Sequence, residues 1–348
     1  MKRNILYIHL GLSSFVQKDI NILQEEYNLI VHHFKVNDKK KLFFSFINQF
    51  FFLLKNRKKS NVILIQFAGY HSFIPSLLTK FFSEKSILIL GGTDCVSFPS
   101  IKYGCYYKKI LSRFTKFSIR NSTILLPVDQ TLIEYDYSYT CSDSPKQGYQ
   151  FHVSNVKTPY KIIYNGYDSR KWFSSKRKIP NTFVTVGANL SSRFGVELKG
   201  IDLLLKVASS FSTCTFYIIG GKSLNLSPPS NVILLDTMDN NLLPGFLEDK
   251  QFYLQLSMSE GFPNALCEAM LCECVPIVSH VGAMPMIVSD AGYILKEKNV
   301  TLLVNLIKLA LRSNDLLVQG QYARRRIQEN YTIEKRSTEL LAVLKEFI

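Results

Sequence analysis

The reading turns on Phe252–Met270, where FYLQL runs into SMSEGFPNALCEAM. A β-rich apolar run meets a turn at Gly261 and Pro263, and helical spacing opens over Asn264–Cys272. Proline suits the first helical position because its missing N–H is not needed there. The free N–H groups and the dipole of such a helix make an anion site. Glu260 precedes the turn, and Glu268 follows eight residues later on the helix. With a diphosphate on the N–H groups, one carboxylate is left for a sugar and the other for a ribose. Carboxylates accept well from vicinal hydroxyls.

Outward from this stretch, short β-rich runs alternate with amphipathic ones. In the first half the strands read as Asn4–His9, Leu29–Phe34, Val62–Phe67, Ser86–Leu90 and Thr123–Val128. Helices read as Phe15–Glu26, Lys41–Lys55, Phe73–Phe82 and Tyr106–Arg120. A second series runs through Phe183–Val186, Ile201–Phe211, Thr215–Ile219, Val232–Leu235, Phe252–Leu256 and Val275–Ser279, with a helical tail from Thr301 to Phe347. This alternation predicts parallel sheets with right-handed crossovers. Two such units, each doubly wound, set the carboxyl ends of their strands across one cleft, where ligands bind. Tyr167–Pro180 reads as an exposed linker. It holds the single Trp172 and a basic run. The expected units are 1–168, 169–330 and a terminal helix over 331–348.

A chain of 348 residues, 47% hydrophobic and 20% charged, has the composition of two globular domains. No run reaches the ~18 apolar residues of a spanning helix. The start, MKRNILYIHLGL, is too short in apolar residues for a signal peptide. Seven cysteines without C-x-x-C pairs suit a reducing cytoplasm. Net charge is +15, and it is uneven: residues 1–170 hold 23 Lys+Arg and 11 Asp+Glu, while 171–348 hold 19 and 16. Such a field attracts anions. The sequence has no zinc-finger, helix-turn-helix or RNA-binding signature, so nucleic acid is not the expected partner.

The E-x7-E wording of EGFPNALCEAM resembles the retaining nucleotide-sugar glycosyltransferases of family four (glycosyl transferases group 1), which have the GT-B fold of two Rossmann-like domains. Lys199-Gly200 resembles the family's KG motif, Ile163–Asp168 (IYNGYD) its domain-closing segment, Val281–Pro285 (VGAMP) its donor-facing loop, and Ala323–Leu340 its terminal helices, the last of which crosses back to the first domain. The resemblance implies that Glu260 binds the donor sugar, that Glu268 binds the ribose, and that Lys199 with Arg193 neutralises the leaving diphosphate. Gly261, Phe262, Pro263, Asn264 and Gly282 complete the donor side. Acceptor-side residues are Gly11, Ser13 and Ser14 after the first strand, His71 after the third, and Gly92 after the fourth. Many relatives carry a histidine at the position of Gly91 that hydrogen-bonds the donor sugar. Asp94, three residues on, is either a hydroxyl contact or a turn cap. His71 is either an acceptor contact or a structural residue.

Cys267, Cys272 and Cys274 read as packing residues, and no Asp-x-Asp occurs, so neither a metal nor a cofactor is expected beyond the nucleoside-diphosphate sugar as substrate. Lys39-Lys40-Lys41, then Leu42–Leu54 (LFFSFINQFFFLL), then Lys55, Arg57, Lys58 and Lys59 read in two ways. One is an amphipathic helix lying on an anionic membrane surface. The other is a buried crossover helix with solvated ends. The expected function is transfer of a sugar to a hydroxyl of a glycan or lipid-linked acceptor, on the cytoplasmic face of the plasma membrane, in bacterial surface polysaccharide synthesis. The rivals are a nucleotide-sugar epimerase or hydrolase, and a degenerate non-catalytic relative.

Overall fold

A computed structural model describes residues 2–36, 41–60, 62–82, 84–224 and 227–348. In the first half β1 (Asn4–His9), β2 (Asn28–His33), β3 (Val62–Gln66), β4 (Lys85–Leu90) and β5 (Ile124–Pro127) form one sheet in the order β2-β1-β3-β4-β5. All its pairings are parallel. The connecting helices are α1 (Ser14–Glu26), α2 (Leu42–Asn56), α3 (Tyr70–Phe81) and α4 (Lys109–Asn121). Both faces of the sheet are covered, so β1, β3 and β4 are near-continuous apolar runs with their central residues fully buried. A small hairpin, β6 (Tyr135–Asp136) with β7 (Lys146–Gln147), and the turn α5 (Tyr149–His152) follow.

The second sheet contains β8 (Ile179–Val186), β9 (Thr215–Ile219), β10 (Val232–Leu235), β11 (Lys250–Gln255), β12 (Val275–Ser279) and β13 (Tyr293–Leu295). Its order, β10-β9-β8-β11-β12-β13, is the 3-2-1-4-5-6 order of the Rossmann fold. Its helices are α6 (Gly195–Leu198), α7 (Ile201–Ala208), α8 (Leu243–Leu247), α9 (Asn264–Leu271), α10 (Met284–Val288), α11 (Val300–Leu311) and α12 (Leu316–Asn330). The final helix is α13 (Ile333–Lys345), which packs on α1 of the first unit. Arg336 on α13 donates to both oxygens of Asp19 on α1 at 2.6 and 2.7 Å, and to the carbonyls of Ile163 and Tyr164. Both charged groups are buried, and the fork-on-carboxylate geometry fixes the crossing.

Several expectations need correcting. Tyr167–Pro180 is exposed only in part, as over Ser175–Arg177: Trp172 is 1% exposed, its carbonyl accepts from Arg324, and Tyr167 pairs with Thr332. The large apolar rings are worth more buried than extended into water. α3 starts at Tyr70, earlier than its apolar spacing suggested, because Ser72 Oγ reaches back to the Gly69 N–H at 2.9 Å. α4 starts only at Lys109, because Phe98 and Tyr103 pair across a tight loop. That loop holds Gly104 at φ +98, where a Cβ would meet the Val96 carbonyl at 2.1 Å.

α2 buries Gln49, Leu53 and Asn56 and leaves Phe43, Phe44 and Phe51 more than 60% exposed. It is therefore not the buried crossover helix that its apolar composition also allowed. Phe46 on α2 and Phe73 on α3 both pack on Phe114 of α4, at 5.5 and 4.8 Å between centroids. The layer built by these three helices contains no Asp or Glu in its helical residues. Lys39 and Lys40 lie outside the described residues. Among the described residues no helix is long and apolar enough to cross a membrane.

Candidate active site

The two sheets meet at their switch points. Leu10 after β1, Phe67 and Ala68 after β3, and Gly91–Asp94 after β4 face Val186 at the end of β8, Ala188 after it, Gln255 at the end of β11 and the loop 259–265. They enclose a cavity of about 570 Å³. The loops touch backbone to backbone: a Cβ on Gly261 would lie 2.0 Å from the Gly91 carbonyl oxygen, and one on Gly92 3.1 Å from Gly261. Only glycines allow this approach.

Glu260 is the polar centre of the cavity. Its Oε1 accepts from Lys199 Nζ at 2.6 Å, Ser257 Oγ at 2.7 Å and Gln255 Nε2 at 2.8 Å. Oε2 has no hydrogen-bond partner among the described residues. Lys199 closes α6, and Gly200 at φ +67 opens α7 against the Leu256 carbonyl, which brings the lysine to this loop. Gly282 at φ +53 backs Glu260 from behind, where a Cβ would meet its carbonyl oxygen at 2.2 Å. Gly282 therefore supports the loop and does not line the cavity. Gly261, Phe262, Pro263 and Asn264 do line it. Pro263 is the residue before α9 rather than its first helical residue. Asn264 Oδ1 accepts from Tyr167 Oη at 2.7 Å and from Asn165 at 3.3 Å, tying the start of α9 to the first unit.

Glu268 lies on α9 away from the cavity wall, 3% exposed, with Oε1 lacking a hydrogen-bond partner. Burial pushes its carboxyl up to about 7, against the opposing pull of Lys18, Asn240 and Lys171. Lys18 comes from α1 of the other unit. Its ammonium stands 4.0 Å from Glu268, 3.2 Å from the Gly166 carbonyl and 4.4 Å from the centre of the Tyr167 ring. Lys18 and Lys171 are contacts that motif reading missed. They come from an N-terminal helix and the inter-unit segment, and no spacing marks them.

Other expected residues fall differently. Arg193 is exposed and outside the cavity lining. Asp94 is 2% exposed and accepts from the N–H groups of Ala68, Gly91 and Gly92. It is a loop anchor and not a free hydroxyl acceptor. Burial raises its carboxyl, and those amides hold it down. His71 is 1% exposed and 6.2 Å from the Phe34 ring, with its pKa lowered to about 4 by burial. It packs in the core rather than at an acceptor. Gly11, Ser13 and Ser14 flank the cavity without lining it, whereas Leu10 and Phe15 beside them do. Cys267, Cys272 and Cys274 are buried in the second core.

Facing Rossmann-like sheets, a cleft between their switch points, and a terminal helix returning to the first unit define the GT-B fold. Residues 176–330, somewhat less than half of the chain, match the family described as Glycosyl transferases group 1. A curated relative, N-acetyl-alpha-D-glucosaminyl L-malate synthase of Bacillus anthracis, is 25% identical over 293 residues, which cover 80% of this chain and 73% of that protein. Among solved structures, sucrose-phosphate synthase from Thermosynechococcus elongatus superposes with a TM-score of 0.76 at 13% identity, over 99% of both chains. Anabaena Alr3699/HepE in complex with UDP-glucose does so with a TM-score of 0.73 at 12% identity, again over 99% of both. These structural likenesses concern the fold.

Proposed function

We propose that this chain moves a sugar from a nucleoside-diphosphate sugar to a hydroxyl of a glycan or lipid-linked acceptor, with retention of anomeric configuration, in bacterial surface polysaccharide synthesis. The observation that carries the reading is the Lys199–Glu260 pair beside the N-terminal end of α9, facing glycine loops across the cleft. In this reading Glu260 Oε2 takes a hydroxyl of the donor sugar. Lys199 turns from Glu260 to the diphosphate as its negative charge develops. The first N–H groups of α9 hold the same phosphates. Glu268, one helical turn from the cavity-lining Asn264 and Ala265 and with its buried Oε1 unpartnered, takes the ribose hydroxyls. Arg193 is left out, because it stands exposed off the cavity.

The leaving phosphate itself accepts the proton of the attacking hydroxyl on the same face of the sugar. The protein then positions both partners and stabilises charge, without its own nucleophile or base. A panel of nucleoside diphosphates, read by thermal shift, identifies the donor class, because a ligand that binds only the native state stabilises it. With that donor, Glu260→Ala should lower kcat/KM by about 100- to 1,000-fold while the nucleotide still binds. Wild-type turnover in Glu260→Ala refutes the assignment.

The reading includes attachment to an anionic inner-leaflet surface. Exposed Phe43, Phe44 and Phe51 support it, as does the carboxylate-free layer of α2, α3 and α4. On α4, Lys109, Arg113, Lys116 and Arg120 recur at helical spacing along one side. Each cation near an anionic bilayer contributes about 1 kcal/mol. Co-sedimentation with vesicles containing phosphatidylglycerol should fall steeply for Lys55→Glu with Lys58→Glu and Lys59→Glu. Unchanged binding removes the basic anchor.

A further inference from the structure

The cavity has two unlike walls. The wall from the second unit carries the charged pair Lys199 and Glu260, with Gln255 and Asn264, set among apolar residues such as Val186 and Phe262. The wall from the first unit is apolar: Leu10, Phe15, Phe67, Ala68 and Val128 line it. Around Phe67 its polar side chains are already engaged, and Asn165, also in the lining, donates to Asn264 Oδ1 at 3.3 Å. Asp94 is taken by three main-chain amides, and Thr93 Oγ1 is bonded to Tyr103 Oη at 2.6 Å.

Phe67 is the centre of the apolar wall. Its ring stands 5.4 Å from that of Phe15. A Cβ built on Gly91 would lie 2.4 Å from Phe67 Cε1 and 2.6 Å from its Cζ. The phenyl ring therefore fills the space that any side chain at position 91 would need. Gly91 in turn touches Gly261, the residue after Glu260. The ring, the glycine pair and the carboxylate are thus neighbours around one sugar-sized space.

We infer that Phe67 selects the transferred sugar, and that the donor is a 6-deoxyhexose whose methyl group faces the Phe67 ring while its hydroxyls face Glu260. The inference rests on the donor-site reading above. A hexose held by its ring hydroxyls on the polar wall turns its remaining exocyclic group to the apolar one. A hydroxymethyl there buries a hydroxyl without a partner, which is unfavourable. A methyl keeps the contact and has nothing to satisfy. Among hexose substituents, C6 is the one that sugars commonly carry reduced to a methyl.

The test uses the full chain and three pairs of donors: dTDP-glucose with dTDP-6-deoxyglucose, UDP-N-acetylglucosamine with UDP-N-acetylquinovosamine, and GDP-mannose with GDP-rhamnose. UDP, dTDP and GDP alone are titrated first by calorimetry. On the nucleotide that binds, the 6-deoxy donor should bind about 10- to 100-fold tighter than its hydroxymethyl partner. Phe67→His offers a hydrogen bond and should narrow that ratio. Phe67→Leu keeps an apolar wall and should retain it. If no nucleotide binds, the donor-site reading fails and takes this inference with it. If a nucleotide binds and the hydroxymethyl donor binds equally well or better, the inference is overturned and the donor site stands. If Phe67→His does not fold, the wild-type ratio and Phe67→Leu decide alone.

Discussion

Replacing Glu268 by glutamine should stabilise the protein at alkaline pH and leave it nearly unchanged at acid pH. The carboxyl is pushed up to about 7 by burial, from an ordinary 4.5. The native state therefore holds this proton more tightly than the unfolded chain does. Stability from that proton is complete below about 4.5, declines as pH rises, and is lost above about 7. At 1.36 kcal/mol per pKa unit, ionised Glu268 costs about 3 kcal/mol at pH 8. Glutamine has the same shape and no charge to desolvate. The groups facing position 268 are Lys18 from α1, Lys171 from the inter-unit segment, Asn240, and the neighbouring Tyr167 and Cys267. Lys18 loses its opposite charge in the variant. Its side chain is 25% exposed, so solvent limits that offset. Urea unfolding, followed by the single buried Trp172, should show a difference between variant and wild type that grows from near zero at pH 4.5–5 to about 2–3 kcal/mol at pH 8. A difference that is flat across this range, or that shrinks as pH rises, refutes the buried-carboxylate argument.

Three further outcomes follow from the same geometry. If Glu268 holds the ribose as a carboxylate, nucleoside diphosphate affinity should weaken as pH falls below about 7, approaching tenfold per pH unit, and calorimetry at pH 5.5, 6.5 and 7.5 checks this. Gly261→Ala drives a methyl against the Gly91 carbonyl and should reduce kcat more than tenfold, while nucleotide affinity changes less than about threefold. Small-angle scattering should find the Gly261→Ala cleft more open. Arg336→Met strands Asp19 without its cation and should destabilise by about 3–5 kcal/mol, read as a loss of melting temperature. Adding Asp19→Leu should recover part of that loss.

The local sequence determined more of this protein than its low identity to solved structures suggests. Runs such as VILIQ and SILIL are apolar on both faces, and only strands inside a covered parallel sheet satisfy them. The strand–helix alternation and the EGFPNALCEAM turn followed from spacing within a dozen residues, so the doubly wound units and the Glu260 loop were readable. What needed the folded chain was everything that depends on two distant segments meeting. Asp94 looked like a hydroxyl contact until three amides from two loops closed around it. His71 looked like a cleft residue until the helix it opens carried it into the core. Lys18 reaches Glu268 across 250 residues of chain, and Phe67 occupies the room that Gly91 vacates 24 positions later. Periodicity encodes which face of an element is buried, because that is a property of neighbours along the chain. It does not encode which side chain fills a gap between two sheets, because that is settled only when both cores pack and their loops are pressed together.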